Sequence, residues 1–132
     1  MKRILIAEDD MTSRMFIYRL LSQFGECDEV SDGLEAIEAC RLSMKEERPY
    51  DLICVDIMMP KLDGVKVIKA VREMEINNFI LPEKRAKIII TTALTAADLV
   101  KEAYYYGIEA YVQKPVKATE FTGLITTLGF AQ

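Results

Sequence analysis

Asp56 lies where an apolar strand pattern stops. The residues before it, Asp51–Val55, are mostly apolar, and the residues after it, Ile57–Gly64, contain proline and glycine and predict a loop. A carboxylate in that position is held at the C-terminal edge of a sheet. Open α/β folds bind their ligands at this edge, so Asp56 is a candidate for chemistry.

Acidic residues also follow the first predicted strand. Ile4–Ala7 has the composition of a buried strand, and Glu8, Asp9 and Asp10 come directly after it. Mg²⁺ prefers carboxylate and carbonyl oxygens and keeps several of its waters. The two acidic strand ends together therefore predict a site for a divalent cation.

Two further strands end in groups that can contact an anion. Lys87–Thr92 ends in the hydroxyl of Thr92, and Ala110–Gln113 runs into Lys114 and Pro115. Acids, a hydroxyl and a lysine thus all lie at predicted strand ends.

The elements that must position these groups alternate along the chain between apolar runs of strand length and segments of helical period. This alternation predicts an α/β fold with a parallel sheet and helices on both faces. The predicted strands are Arg3–Ala7, Cys27–Val30, Asp51–Val55, Lys87–Thr92 and Ala110–Gln113. The predicted helices are Thr12–Phe24, Gly33–Glu46, Val65–Glu75, Ala96–Tyr106 and Thr119–Leu128.

Local features refine these boundaries. Gly25 and Gly107 follow predicted helices and are expected to end them, since glycine adopts the left-handed conformation most readily. Cys27–Val30 is short and half charged, which suits a sheet edge, and Ile76–Ala86 is expected to be an extended or irregular link. The apolar residues that recur at helical spacing in the first helix are Phe16, Ile17, Leu20, Leu21 and Phe24.

At this point the chain resembles the receiver (CheY-like) domain of two-component response regulators. The resemblance covers nearly the whole chain and rests on residues in the family's order: Glu8-Asp9, Asp56, Met59-Pro60, Gly64, Thr92-Ala93 and Lys114-Pro115. It implies a flavodoxin-like, doubly wound (βα)5 fold with a five-stranded parallel sheet in the order 2-1-3-4-5. It also implies phosphoryl transfer from a phosphohistidine on a partner to an aspartate.

The resemblance assigns a role to each acid. Asp56 corresponds to the phosphoacceptor and Asp9 to a direct Mg²⁺ ligand, while Glu8 acts mostly through a bound water. Asp56 and the backbone carbonyl of Met58 complete the expected ligands. The alternative for the acids after the first strand is helix capping, which suits Asp10 best because aspartate favours N-caps.

The resemblance also assigns the remaining groups. Lys114 corresponds to the residue that contacts a phosphoryl oxygen, with a cis peptide before Pro115 turning it into the site. Thr92 and Tyr111 correspond to the switch pair. Each residue also has an ordinary structural explanation. Lys114 could be a solvated surface lysine and Tyr111 a core aromatic. Thr92 could simply be a β-branched residue that suits a strand, as Thr91 does equally well.

Two apolar positions bear on the lifetime of an aspartyl phosphate. Met58 and Leu94 stand two residues beyond Asp56 and Thr92, where many relatives carry polar side chains that position a water. Apolar groups there predict a long-lived phosphoryl group.

Three consecutive tyrosines end the predicted fourth helix. Side chains at Tyr104–Tyr106 point in different directions around a helix, so at least one is expected to be exposed. A dedicated partner surface is one explanation, since tyrosine is favoured at interfaces, and core packing with one incidentally exposed ring is an equally good one.

Composition limits the function. The 132 residues carry a net charge of −4 with no basic cluster, which argues against direct nucleic-acid binding. No apolar run approaches a membrane span and no signal peptide is evident, so a cytoplasmic location without membrane association is expected. Cys27, Cys40 and Cys54 lack zinc or CxxC spacing and are expected to be reduced, structural thiols.

The absence of histidine decides most about the class of protein. A chain without histidine cannot be a histidine-phosphorylated transmitter, so it takes the aspartate side of a relay. The expected partners are a sensor histidine kinase or histidine phosphotransfer protein and a downstream protein target.

The predicted organisation is a single receiver domain over residues 1–132 without an output domain. As an enzyme it would catalyse only its own phosphorylation and dephosphorylation. Two alternatives remain: a receiver segment of a hybrid kinase or larger regulator, and an aspartate-nucleophile phosphohydrolase. The hydrolase usually needs a second acid shortly after the nucleophile, and here Ile57 and Met58 follow Asp56.

Overall fold

The computed structural model describes residues 1–93 and 97–132 and contains one parallel sheet. Its five strands lie in the order β2-β1-β3-β4-β5, as predicted. The strands are β1 Arg3–Ala7, β2 Glu26–Val30, β3 Leu52–Asp56, β4 Lys87–Thr92 and β5 Ala110–Gln113. The helices are α1 Met11–Leu21, α2 Gly33–Lys45, α3 Gly64–Asn77, α4 Ala97–Tyr106 and α5 Ala118–Thr127, with a 3-10 helix at Pro82–Lys84.

The sheet is covered on both faces, which explains why its central strands β1 and β3 are mostly apolar and almost wholly buried. In β1, Ile4 and Ile6 face a cluster that includes residues of α1 and α5. Leu5 and Ala7 face the opposite cluster, built with residues of α2, α3 and α4. Alternate residues of one strand therefore enter two separate cores, and the strand is fixed in register from both sides.

Aspartates begin three of the helices close to the C-terminal edge of the sheet. Each accepts a hydrogen bond from the backbone N–H of the residue three positions later. The pairs are Asp10 with Ser13 at 2.8 Å, Asp32 with Glu35 at 2.8 Å and Asp63 with Lys66 at 3.0 Å. Each side chain satisfies a donor that the first helical turn leaves free. The capping role predicted for Asp10 is confirmed.

The first helix is shorter than predicted. It ends at Leu21 with Ser22 as its cap, and Gly25 is not left-handed. Gly25 serves another purpose, because a Cβ at this position would lie 2.5 Å from the carbonyl oxygen of Lys2. Gly107 does end α4 as predicted, with a φ of 104°.

The link after α3 differs from its prediction as well. Helix α3 continues to Asn77, and the 3-10 helix orders part of the remaining segment before β4. The other predicted boundaries agree with the described elements within one residue, and β2 lies at the sheet edge as expected.

The three cysteines are free thiols, in agreement with the prediction. Burial raises the pKa of Cys27 to about 11 and that of Cys40 to about 12, so both thiols stay protonated near neutral pH. Among the described residues, no helix has the length and apolar character needed to cross a bilayer.

Candidate functional site

Three acids converge at the C-terminal edge of the sheet. Glu8 and Asp9 follow β1, Asp56 ends β3, and these two strands are hydrogen-bonded neighbours. One carboxylate oxygen from each acid lies within 4.8 Å of the others. The convergence expected from the strand-end pattern is therefore present, with Glu8 and Asp56 buried and Asp9 exposed.

The loop after Asp56 is folded tightly against the strand end. Oδ1 of Asp56 accepts a hydrogen bond from the backbone N–H of Met58 at 3.0 Å. The N–H of Gly64 donates to the carbonyl of Ile57 at 2.9 Å, and a Cβ on Gly64 would lie 2.7 Å from Ile57 Cα. Glycine is required for the close approach of Gly64 to Ile57. The hydrogen bond from Met58 holds Oδ1 of Asp56, and Oδ2 is left to contact Lys114.

Lys114 reaches across the edge from β5. Its Nζ donates to Oε1 of Glu8 at 2.6 Å and to Oδ2 of Asp56 at 3.0 Å. The peptide between Lys114 and Pro115 is cis, as the resemblance implied. The lysine is thus a member of the acidic cluster rather than a solvated surface residue.

The electrostatics of this cluster are unbalanced. Burial raises the pKa of Glu8 to about 7, with Lys114 opposing the shift and Asp56 adding to it. Burial acts to lower the pKa of Lys114, but its hydrogen bonds to Glu8 and Asp56 outweigh this effect and hold the pKa above its ordinary value. The one ammonium of Lys114 contacts two of the three clustered acids, so negative charge stays uncompensated, and a divalent cation would match it.

Asp10 stands outside the cluster. Its carboxylate accepts from Ser13 N–H, and this backbone hydrogen bond lowers its pKa. The acids nearest Asp56 are instead Glu8 and Asp9, the pair chosen from the sequence.

Thr92 and Tyr111 make their described side-chain contacts away from the acidic cluster. The Thr92 side chain is buried, and its hydroxyl donates to the carbonyl of Ala93 at 3.0 Å. Tyr111 is 50% exposed, and its ring packs edge-on against Tyr104 with the ring centroids 6.3 Å apart. Tyr111 is therefore not a core aromatic in this conformation.

Thr91 lies next to Asp56 in the sheet, although the sequence analysis did not assign it to the site. It is the register partner of Asp56 across β3 and β4, so the two side chains leave the same face of the sheet. Its hydroxyl is fully buried and has no hydrogen-bond partner among the described residues. The sequence does not reveal this unpaired hydroxyl, because a threonine in a strand is ordinary and any hydrogen-bond partner would lie on another element of the fold.

Of the two apolar residues predicted to lengthen the lifetime of the phosphoryl group, the structure describes Met58. The side chain of Met58 is 57% exposed beside the acidic cluster. Leu94 lies outside the described residues. The carbonyl of Met58 remains a predicted ligand.

An apolar depression borders the site on the α1 side. Its cavity volume is about 490 Å³, and its lining joins Phe16 and Ile17 of α1 to Lys114, Pro115 and Val116. Phe16, one of the apolar residues that recur at helical spacing in the predicted first helix, is 37% exposed. Met11 and Met15 on the same helix are 64% and 55% exposed.

Comparison with known proteins agrees with this geometry. Residues 4–126 match the family model of the response regulator receiver domain. Hybrid signal transduction histidine kinase B of Dictyostelium discoideum is 31% identical over 125 residues. That match covers 90% of the chain but 6% of the kinase, so the chain spans a small part of this relative.

Solved structures of receiver domains share the fold. The receiver domain of sensor histidine kinase PA1611 from Pseudomonas aeruginosa, which has magnesium coordinated in its active-site cleft, is 27% identical with a TM-score of 0.76. That comparison covers 96% of the chain and 95% of the other. The Saccharomyces cerevisiae Ssk1 receiver domain, crystallised with the phosphotransfer protein Ypd1, has a TM-score of 0.80 at 23% identity, covering 97% and 88% of the two chains.

Proposed function

Since the chain belongs to the response regulator receiver domain family, we propose that Asp56 accepts a phosphoryl group from a phosphohistidine on a partner protein. The observation that carries this proposal is the cluster in which Lys114 Nζ bridges Glu8 and Asp56, with Asp9 alongside. A carboxylate becomes an effective acceptor when nearby cations neutralise the oxygens of the group being transferred.

The same cluster fits Mg²⁺. Glu8 and Asp56 are 1% and 5% exposed, and the single ammonium of Lys114 does not balance the charge of the three acids. Asp9 and Asp56 would bind the ion directly together with the Met58 carbonyl, and Glu8 would act through a water. When bound, the ion neutralises phosphoryl oxygens and aligns them with the acceptor.

Asp56 and Lys114 have different roles in the phosphoryl transfer. A carboxylate oxygen of Asp56 forms the new bond to phosphorus while the bond from phosphorus to the partner's imidazole breaks. The imidazole nitrogen keeps the electron pair and takes a proton from solvent. Lys114, already 3.0 Å from Asp56 Oδ2, then contacts a phosphoryl oxygen as a compact point charge.

The apolar depression beside Lys114 supports docking of the phosphohistidine partner. Phe16, Met11 and Met15 expose apolar surface on α1, next to the edge that holds Asp56. Methionine packs adaptably against varied surfaces, and exposed apolar patches mark contact sites. A helical partner bound there would bring its phosphohistidine to the acidic cluster.

Phosphorylation would then change the face formed by α4, β5 and α5. The phosphoryl group adds about 1.5 to 2 negative charges and new acceptor oxygens, which favour a state with the Thr92 hydroxyl turned toward Asp56. That rotation would free space for Tyr111 to move inward from its contact with Tyr104. A downstream protein would sense the altered surface.

The first experiment tests the acceptor. With Mg²⁺ and acetyl phosphate the wild type should gain the mass of one phosphoryl group, measured by intact mass spectrometry. Asp56→Asn should gain none, while Asp63→Asn, a matched change at an N-cap on the same edge, should be labelled normally. Equal labelling of wild type and Asp56→Asn would remove Asp56 from the proposed role.

A second experiment tests the switch. Beryllofluoride, a mimic of the phosphoryl group, should shift amide NMR signals across residues 97–106 and 110–113. Thr92→Ala should reduce these distant shifts and keep those beside Asp56. Shifts confined to the loops around Glu8, Asp56 and Lys114 would contradict the proposed output face.

The wider setting is also part of the proposal: a single receiver domain over residues 1–132, acting in the cytoplasm without membrane or nucleic-acid contact and catalysing only its own phosphorylation and dephosphorylation. The match to a hybrid kinase supports one alternative, in which the same chemistry occurs in a receiver segment of a larger regulator. The gene organisation around the coding sequence would distinguish the two.

A further inference from the structure

A second concave surface lies at the opposite, N-terminal edge of the sheet. Its cavity has a volume of about 660 Å³ and is formed by the segment between α3 and β4 together with the starts of β1 and β4 and the chain after α5. Its apolar lining includes Phe79, Leu81 and Phe130. None of these residues takes part in the site at Asp56.

Phe79 is held out of the core by a defined backbone motif. It is 91% exposed and has a φ of 57°, a conformation that a bulky residue seldom adopts. The N–H of Phe79 donates to the carbonyl of Ile76 at 3.0 Å, and that of Ile80 donates to the carbonyl of Glu75 at 3.0 Å. This is a Schellman motif, in which glycine usually occupies the position of Phe79. The fold thus accepts backbone strain at Phe79 without burying the ring.

Buried polar contacts hold this segment in place. Glu75 is 1% exposed, and its two oxygens accept from Arg72 Nη1 and from the backbone N–H of Ala86, each at 2.8 Å. Arg72 also donates to the carbonyls of Ala86 and Gly107. The two ends of the α3–β4 segment are therefore tied together, and its exposed face is preorganised.

The charge of this cavity is opposite to that of the whole chain. Its lining contains four cationic residues, Lys2, Lys84, Arg85 and Lys87, against the two acids Asp51 and Glu83. The chain as a whole carries a net charge of −4. Lys84 and Lys87 form no ion pair with any described residue.

We propose that this cavity binds an acidic amphipathic peptide segment of a partner protein, with one large apolar side chain packed against Phe79 and acidic side chains facing Lys84 and Lys87. A small molecule fits less well, because small-molecule sites enclose about 70–90% of their ligand, whereas Phe79 and Leu81 are 91% and 58% exposed. Aromatic anchors surrounded by complementary charges are typical of protein contacts. This surface is independent of the phosphoryl site.

Selection of peptides tests the occupant. A random peptide library is panned against the immobilised, unphosphorylated full chain, and enriched peptides are synthesised for fluorescence anisotropy. The enriched sequences should combine acidic residues with an aromatic or large aliphatic residue. Their affinity should fall as salt is raised, and Lys84→Glu with Lys87→Glu should weaken it at least about tenfold.

Phe79→Gly separates recognition from folding. Glycine suits the left-handed position, so the melting temperature should stay the same or rise, while peptide affinity falls at least about tenfold. Glu47→Gly is the matched control, since Glu47 has a φ of 59° in an equivalent motif that ends α2. Glu47→Gly should change the melting temperature in the same direction as Phe79→Gly. It should not weaken peptide binding, because losing a negative charge does not reduce the affinity for an acidic peptide.

Three outcomes would overturn the proposal: enriched peptides without acidic residues, equal binding to wild type and Phe79→Gly, or a wild-type dimer in sedimentation velocity that Phe79→Gly abolishes. The last would identify a second copy of the chain as the occupant. Phosphorylation of Asp56 should be normal in Phe79→Gly, so failure here leaves the proposed receiver function intact, and failure of Asp56 labelling leaves this test intact.

Discussion

Glu8 and Glu75 are equally buried, each 1% exposed, yet they occupy different electrostatic environments at opposite ends of the sheet. Glu75 has both oxygens satisfied, one by the guanidinium of Arg72 and one by a backbone N–H. Glu8 shares the single ammonium of Lys114 with Asp56 and has Asp9 close by.

The difference lies in how completely the protein itself balances the buried charge. The pair of Arg72 and Glu75 is complete without a ligand, so its role is structural. The cluster around Glu8 has an excess of negative charge, which a metal ion can relieve. A buried carboxylate therefore indicates a functional site when its partners are too few, and burial alone does not distinguish the two cases.

The strongest test of the structural pair is Arg72→Ala. Removing the guanidinium leaves Glu75 buried with one oxygen unpaired, so the free energy of unfolding should fall by about 3–5 kcal/mol. Urea denaturation measures this loss. The control is Arg41→Ala, which removes a pair with Glu38 whose side chains are 52% and 55% exposed, and it should change the midpoint little. Equal losses in the two variants would contradict the distinction.

At the opposite end, Lys114→Met should mainly affect chemistry. Loss of one positioned charge-stabilising donor slows a transfer by about 10²–10³-fold, so phosphorylation by acetyl phosphate should slow to that extent. The time course of intact mass measures the rate. Lys117→Met, at an exposed lysine three residues further on, should react at the wild-type rate. If Lys114→Met were labelled normally but unfolded easily, Lys114 would resemble Arg72 in its role.

The two neighbouring aspartates at the end of β1 offer a finer comparison. Asp10→Ala removes an N-cap and should lower the melting temperature by a few degrees while Mg²⁺ affinity is retained. Asp9→Ala should lower the Mg²⁺ affinity and leave the melting temperature nearly unchanged, because Asp9 is exposed and belongs to the acid cluster. Calorimetric titration with Mg²⁺ and thermal denaturation together distinguish them. Loss of Mg²⁺ binding in Asp10→Ala alone would shift the assignment by one residue.

The smallest expected effect is at Thr91. Thr91→Val replaces a buried hydroxyl without a described partner by a methyl group of the same shape, so the free energy of unfolding should rise by about 1 kcal/mol. Thr92→Val is the control: it removes a hydroxyl that donates to Ala93 and should not stabilise the protein. Destabilisation by Thr91→Val would mean that the hydroxyl already has a partner.

Much of the fold followed from local pattern. The alternation of strand-length runs and helical periods predicted every strand within one residue. The signal is strongest in β1 and β3, because burial on both faces selects continuous apolar stretches. The prediction was wrong where a distant contact intervenes. Gly25 meets the backbone of Lys2, which the sequence around Gly25 does not encode.

Phe16 illustrates a second limit. Its spacing in α1 places it near the buried stripe, but whether it is covered depends on how far the chain after β5 extends over α1. The α3–β4 segment is similar, because Arg72 and Glu75 of α3 bind Gly107 and Ala86, which lie further along the chain and do not belong to the local pattern of the helix.

The sequence by itself determined that acids, a hydroxyl and a lysine end parallel strands, because local composition fixes where a strand stops and parallel strands stop at one edge. Only the tertiary structure decided which of them meet. Lys114 Nζ contacts Glu8 across 106 residues of chain and Asp56 across 58, and these contacts depend on strand order and register. Local propensities do not fix those quantities, since they arise from how the whole sheet and its helices pack together.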